Sequence, residues 1–300
     1  MKKAFVQLHI AVFLAGFTGI LGKLITLNEG LLVWYRLLIS VVTLWLITLW
    51  SRKKRRIPAA GMLKIFGIGV VAALHWVCFY GSIKLANVSI ALVCFSSIGF
   101  FTAILEPLIF RQKLHQRELF LGILVMIGIS FIFQIDPRYR QGIFAGIIAA
   151  ILGSVFPILS RKILQQFDAE TVTIYELSGG LIFLSFLMPV YLWLFPSTHL
   201  FPNREDLLWL LVLSWLCTVI AFNLSMKALR KISAFTVNLT FNLEPIYGIL
   251  LAFIVFREDK YLNKGFYAGL SLIFLAIVLQ MTAIYRTREK IGREEKLKSI

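Results

Sequence analysis

The chain has 300 residues, 59% of them hydrophobic, and a mean hydropathy of +0.84. Soluble domains are roughly half apolar, so a water-soluble globular protein is excluded. The connections are too short to hold a soluble ATPase domain, and no Gly-rich phosphate loop ending in Lys-Ser/Thr occurs. A net charge of +16 would suggest nucleic acid in a soluble protein, but here the position of the basic residues along the chain gives it another meaning.

Crossing a bilayer takes about 20 apolar residues per helix. Ten such stretches are predicted, at 4–22, 31–50, 63–83, 88–110, 118–135, 142–160, 171–194, 207–227, 234–256 and 266–285. The first follows Met1-Lys2-Lys3 without a small-x-small cleavage site, so it reads as a retained helix. The second carries Arg36. The third carries His75, Trp76 and Tyr80 and ends in Ser82-Ile83-Lys84. The fourth has Ser96 and Ser97 near its middle and Glu106-Pro107 near its end. The fifth is apolar throughout its interior. The sixth opens with Gly142 and Gly146, a pairing of small residues that lets helices approach closely. The seventh carries Glu176 and Gly179-Gly180, and the eighth ends in Ser225-Met226-Lys227. The ninth holds Thr236, Asn238, Thr240, Asn242 and Glu244-Pro245, and the tenth is again apolar. Stretches five and ten, poor in polar groups, are expected to be supporting and lipid-facing. Trp50, Trp193 and Trp209 lie near span ends and read as interface anchors.

Landmarks recur between the halves. Tyr35-Arg36 answers Tyr175-Glu176, Ser82-Ile83-Lys84 answers Ser225-Met226-Lys227, and Phe110-Arg111 answers Phe256-Arg257. Five spans per copy is odd, so the second copy must lie upside down. The expected fold is an all-α polytopic membrane protein of ten transmembrane helices in two inverted five-helix repeats. The expected division is 1–140, 141–285 and a basic cytoplasmic tail, 286–300. Inverted repeats are the architecture of secondary transporters, with the substrate near the midplane between them.

With the N-terminus cytoplasmic, most of the 31 basic residues fall on the cytoplasmic side. This places both termini inside. The run Arg52-Lys53-Lys54-Arg55-Arg56 then reads as a topology anchor touching anionic lipid, not as a nucleic-acid site. The expected partners are the bilayer and a small-molecule substrate, with no nucleic acid; the oligomeric state is left open. Cys78, Cys94 and Cys217 fall inside spans with no metal or disulfide spacing and read as small apolar fillers. No cofactor and no metal are expected. No HExxH or GxSxG occurs, so the chain is not read as an enzyme. An intramembrane enzyme and a non-transporting membrane subunit stand as alternatives.

Ionisable groups inside a span are costly and mark a cavity or a partner. Glu244 sits mid-span, with Thr236 and Thr240 stacked on its face at helical spacing and Asn238 and Asn242 flanking. That stripe is either a substrate or proton site or an interhelical hydrogen-bond cluster. His75 lies at similar depth, followed by Trp76, Phe79 and Tyr80. It is either a titrating group in an aromatic cavity or a neutral histidine bonded to a backbone carbonyl. Ser97 is a further midplane candidate. Arg36 and Glu176 are equivalent by repeat but lie on opposite sides of the midplane. They are expected near opposite gates, with structural ion pairing or snorkelling as the alternative. Glu106, near the cytoplasmic end of its span, is expected to pair with a basic neighbour there.

Leu152-Gly153-Ser154-Val155-Phe156 resembles the first-helix Gly-Ser signature of the EamA-type transporters of the drug/metabolite transporter superfamily, and Leu14-Ala15-Gly16-Phe17 is a weaker copy. The charged residue in each second helix (Arg36, Glu176) and Phe256-Arg257-Glu258 are also similar to that family. In the first half Gln112 stands where Glu258 stands in the second. The resemblance implies an inner-membrane carrier, often an exporter of amino acids, other metabolites or toxic compounds. The expectation is therefore a secondary transporter that exports small metabolites by alternating access, with proton coupling open. Glu244, His75, Asn238, Asn242, Thr240, Ser97, Trp76 and Tyr80 are the expected substrate or proton contacts, and Arg36 and Glu176 the gates.

Overall fold

The computed structural model describes all residues except 1, 52–56, 115, 134–136, 198, 242, 263, 277, 280–281 and 283–300. The basic run 52–56, Asn242 and the tail 286–300 therefore lie outside the described residues. Among the described residues there is no strand. This follows from the solvent: without water in the hydrocarbon, backbone groups must be bonded within the segment, which a helix does.

The first crossing is split into α1 (Lys2–Ala15) and α2 (Thr18–Leu24). It is followed by α3 (Glu29–Trp50) and α4 (Ala59–Leu85), and then by α5 (Val88–Phe95) and α6 (Ile98–Phe110), two halves of one crossing. α7 (Gln116–Phe133) ends the first half. The second half runs through α8 (Arg140–Ile163) and α9 (Ala169–Leu194). Next come α10 (Arg204–Ser214), a π-helical turn (Trp215–Ile220) and α11 (Ala221–Leu229), which share a crossing. α12 (Ala234–Phe241) and α13 (Glu244–Phe256) share the following one. α14 (Lys264–Ala276) is a shorter apolar helix. Seven of these segments are long and apolar enough to cross a membrane: Lys3–Leu24, Glu29–Trp50, Ala59–Leu85, Val88–Phe110, Arg140–Ile163, Ala169–Leu194 and Arg204–Leu229. Tight restarts after the turns are capped by side chains. Asn28, Asn87, Asp168 and Asn203 each accept from a backbone N–H three residues on, satisfying a donor that the helix itself leaves free.

The fourth and ninth crossings share one design. Each is interrupted midway, at Ser96-Ser97 and between the end of α12 at Phe241 and the start of α13 at Glu244. Each ends at an arginine in the left-handed conformation, Arg111 and Arg257, both with φ 54°. These are the non-glycine residues with positive φ among the described residues. The ninth breaks where Pro245 would otherwise remove a mid-helix hydrogen bond; restarting at Glu244 puts the proline in the first turn, where its missing donor costs nothing. In the fourth, the Ser96 and Ser97 hydroxyls bond back to the Leu92 and Cys94 carbonyls.

Packing relies on small residues. Gly69 of α4 lies against the Glu176 carbonyl of α9, and Gly180 lies against the Gly69 carbonyl, so these two helices touch backbone to backbone. Gly128 of α7 packs on the Gly269 carbonyl of α14. The fifth and tenth stretches thus lie against one another, and neither contributes to the central cavity. Trp50 and Trp193 are exposed at their helix ends.

Candidate functional site

A cavity lies in the middle of the bundle, between crossings of both halves. It holds about 730 Å³ of non-atom space, the open mouth and its solvent included. Its wall is mainly apolar, with the aromatic rings of Trp76, Phe79, Phe95, Phe156, Phe222 and Phe241 among small and aliphatic residues, and its polar groups are few: Arg36, His75, Asn238, Glu244, Thr18 and Ser225. Its lining is drawn from both sides of the middle: Ser225, Met226, Val237, Asn238 and Pro157 lie toward the face that holds the start of α1 in their crossings, and Thr18, Arg36, Trp76 and Phe79 toward the opposite face in theirs.

Arg36 is 2% exposed and held by neutral groups alone. Its Nε donates to Thr218 Oγ1 at 2.7 Å, and its terminal nitrogens donate to Tyr80 Oη at 2.8 Å and the Cys217 carbonyl at 3.3 Å. Its guanidinium carbon stands 4.1 Å from the centre of the Trp76 ring, a cation–π contact. The π-helical turn brings Cys217 and Thr218 to the guanidinium. π-bulges of this kind are frequent at functional sites. Tyr80 thereby orients Arg36 from behind, without lining the cavity.

Glu244 begins α13 and is 5% exposed. Among the described residues it makes no hydrogen bond and no ion pair, with Arg36 or any other group. A buried guanidinium and a buried carboxyl therefore share one cavity, each without a counter-ion in bonding contact.

His75 Nδ1 lies 2.7 Å from the Ala149 carbonyl. A carbonyl only accepts, so Nδ1 carries the hydrogen. The ring sits among Phe79, Phe95 and Phe156, with centroids 5.4 to 6.2 Å away. Gly153, second in the Leu152–Phe156 motif, admits this ring, since a Cβ there would come to 3.0 Å from the imidazole. Asn238 donates to Thr102 Oγ1 at 2.9 Å and ties α12 to α6 at the cavity wall.

The structure thus gathers Arg36, His75, Trp76, Asn238 and Glu244 around one space. Thr240 and Ser97 do not line it; their hydroxyls turn back to the Thr236 and Cys94 carbonyls. The stacking of Thr240 below Glu244 presupposes a continuous helix, and the break after Phe241 undoes it. Asn242 lies outside the described residues. Glu176 also stands away from the cavity, fully buried between α8 and α9.

At each end of the bundle a carboxylate joins three crossings. Where α2 ends, Glu258 accepts from Lys23 Nζ at 2.6 Å, from Ser89 N at 2.9 Å, from Ser89 Oγ at 2.6 Å and from Val88 N at 3.2 Å. It caps the first turn of α5 while holding the cation at the end of the first crossing. At the other end Glu106 accepts from Arg161 at 2.8 Å and from Phe235 N at 2.6 Å, capping α12 while holding the cation near the end of the sixth crossing. Arg161 is the basic neighbour expected of Glu106. The Lys23–Glu258 partnership spans 235 residues, and no local motif announces it.

Compared with known proteins, the chain matches the EamA-like transporter family model over residues 2–134 and again over 140–282. An uncharacterized transporter of Helicobacter pylori (strain ATCC 700392 / 26695) is 22% identical over 271 residues, covering 86% of this chain and 87% of its own. An uncharacterized transporter of Haemophilus influenzae is 22% identical over 244 residues, 76% of this chain and 75% of its own. A further uncharacterized transporter, from Archaeoglobus fulgidus, is 31% identical over 112 residues, 37% of this chain and 38% of its own. One crystal structure of a protein superposes with a TM-score of 0.68 at 16% identity, covering 96% of this chain and 99% of that one; the two share a fold.

Proposed function

We infer the function of this chain from its family, for the chain belongs to the EamA-like transporters. It is a multi-pass membrane transporter. Our finer reading is a secondary exporter of small amphipathic metabolites of the amino-acid class, working by alternating access in the inner membrane with both termini cytoplasmic.

One observation carries the substrate class: the Arg36 guanidinium and the Glu244 carboxyl face one cavity with aromatic walls and make no ion pair with each other. Arg36 offers a planar fork suited to a carboxylate. Glu244 offers an acceptor for an ammonium group, and Trp76, Phe156 and Phe222 offer apolar walls. A zwitterion with an apolar side chain satisfies all three at once. The concentration of basic residues on the side that holds the N-terminus supports cytoplasmic termini. The Glu106 and Glu258 clusters, one at each end, support a mechanism in which one end parts while the other holds.

The test is efflux of radiolabelled leucine, phenylalanine and their one-charge analogues, the corresponding amine and carboxylic acid, from liposomes holding the protein. Zwitterions are expected to leave faster than either analogue. Glu244→Gln is expected to slow them by about tenfold or more, since a hydrogen bond to a charged group contributes about 1.5–3 kcal/mol. Equal efflux of zwitterion and analogues, or unchanged flux in Glu244→Gln, overturns the reading.

A further inference from the structure

Glu176 is fully buried on α9, and the reading above gives it no task. Its Oε1 lies 2.6 Å from Ser160 Oγ on α8, and that hydroxyl oxygen also lies 2.7 Å from the Phe156 carbonyl. A serine hydroxyl has one hydrogen to donate. Were Glu176 ionised, that hydrogen would face two acceptors. Oε2, buried and without a partner, would then be a bare anionic oxygen in an apolar setting. Burying such a charge is far costlier than burying the neutral acid. With a proton on the carboxyl the pattern closes: Glu176 donates to Ser160, and Ser160 donates to the Phe156 carbonyl.

We propose that Glu176 and Ser160 form a proton-binding site one helical turn behind the wall of the substrate cavity, and that its loading and emptying accompany transport. The transport half of this rests on the reading above.

Among the described residues, no charged side chain meets Glu176 from the elements packed around it. On α8, Arg161 is bonded to Glu106 and Lys162 is exposed. On α4, Lys64 is exposed and His75 is bonded to the Ala149 carbonyl. On α3, Arg36 is held by Thr218, Tyr80 and Cys217. On α11, Lys227 bonds Glu170, the other acid of α9. The adjoining Tyr175 packs its ring on Trp45 and Phe66. The carboxyl is thus left to exchange its proton with water.

A route for that exchange starts at the cavity. Phe156 and Pro157 line it, and Ser160 follows three residues on, about 5 Å along α8. One turn before Glu176 on α9, the Thr173 hydroxyl is likewise buried without a partner, and residues three apart share a helix face. It is placed to take up Oε2 when the carboxyl changes rotamer. The joint between α4 and α9 is backbone on backbone at Gly69, Gly179 and Gly180, so α9 can slide there without unlocking side chains. In the cycle the carboxylate takes a proton from water at one face and returns it to water at the other.

The direct test needs no substrate. Infrared difference spectra of the protein in lipid, recorded as the pH is stepped from acid to alkaline, are expected to show a protonated-carboxyl C=O band. It is absent in Glu176→Gln and shifted in Ser160→Ala. The glutamine amide can make the same donation to Ser160, so that variant is expected to fold. Identical spectra for wild type and Glu176→Gln overturn the site. For its role in transport, efflux of radiolabelled leucine under an imposed pH gradient is compared. Glu176→Gln is expected to retain leucine exchange but lose at least about tenfold of the stimulation by the gradient. Equal stimulation in both proteins overturns that role. If the wild type moves no leucine, the substrate reading fails, while the infrared result still decides the proton site.

Discussion

At one end of the bundle Glu258 accepts four hydrogen bonds, from Lys23, Val88 and Ser89. At the other, Glu106 accepts two, from Arg161 and Phe235. Both acids join the cation near the end of their neighbouring repeat's first crossing to the capped start of a broken helix. The repeat relates Lys23 to Arg161 and α5 to α12, yet the acids themselves are not equivalent, since Glu258 matches Gln112 in register. Inversion has therefore kept the task and moved the residue. The Glu258 end is reinforced further: Asp206 accepts from Thr26 N and Oγ1 at 2.7 Å each, and Lys84 donates to the Ile25 carbonyl at 2.6 Å. Under the proposed alternating-access cycle, one plan with unequal bonding at the two acids predicts that the Glu258 end is the harder of the two to part.

The sharpest way to break this comparison is to remove each acid in turn. Glu258→Ala removes four hydrogen bonds to a carboxylate and uncaps α5, so about 3–5 kcal/mol of stability is expected to be lost. Glu106→Ala removes two bonds to a carboxylate and is expected to cost about 1.5–3 kcal/mol. Thermal unfolding in detergent measures both. Equal losses, or a larger one for Glu106→Ala, would abolish the asymmetry. A gentler change keeps the acids and removes the cations. In a Cys78→Ala, Cys94→Ala background, Cys217 in the cavity wall reports access through its reaction with a maleimide. In sealed vesicles Lys23→Gln is expected to raise labelling from the Glu258 end, and Arg161→Gln from the Glu106 end. Each partly exposed pair is worth up to about 1 kcal/mol, so rates should change about two- to fivefold. Labelling that rises from the same side in both variants would contradict opposed gates.

How much of this the sequence discloses depends on range. The crossings are legible because hydropathy is a local sum and the bilayer fixes its length. The polar and aromatic cavity residues His75, Trp76, Asn238 and Glu244 are legible from depth, because an embedded polar or ionisable group must face water, ligand or partner. Arg36 is legible as an embedded charge at its depth. Its place in the cavity wall depends on the π-helical turn at Cys217 and Thr218, which residue types do not announce. The break at Ser96-Ser97 escapes notice because serine sits comfortably within a membrane helix. The break before Glu244 is hinted at by Pro245, and it rotates the expected Thr240–Glu244 stripe apart. The unpaired oxygen of Glu176 depends on which helix face meets Ser160, a matter of packing and not of composition.

The smallest effect is expected at the position that register alone would nominate. Gln112 follows left-handed Arg111 as Glu258 follows left-handed Arg257, so symmetry assigns it the acid. Yet Gln112 is exposed, whereas Glu258 is 2% exposed beneath the first turn of α5. An exposed carboxylate stays hydrated, and surface changes usually fall within about 0.5 kcal/mol. Gln112→Glu is therefore expected to leave the unfolding temperature nearly unchanged, and not to restore it in a Glu106→Ala background. Recovery in the double variant would mean that register carries the task. Without recovery, what matters is burial against the first turn of α12, and Glu106 holds that place because its side chain reaches Phe235 N and Arg161 together.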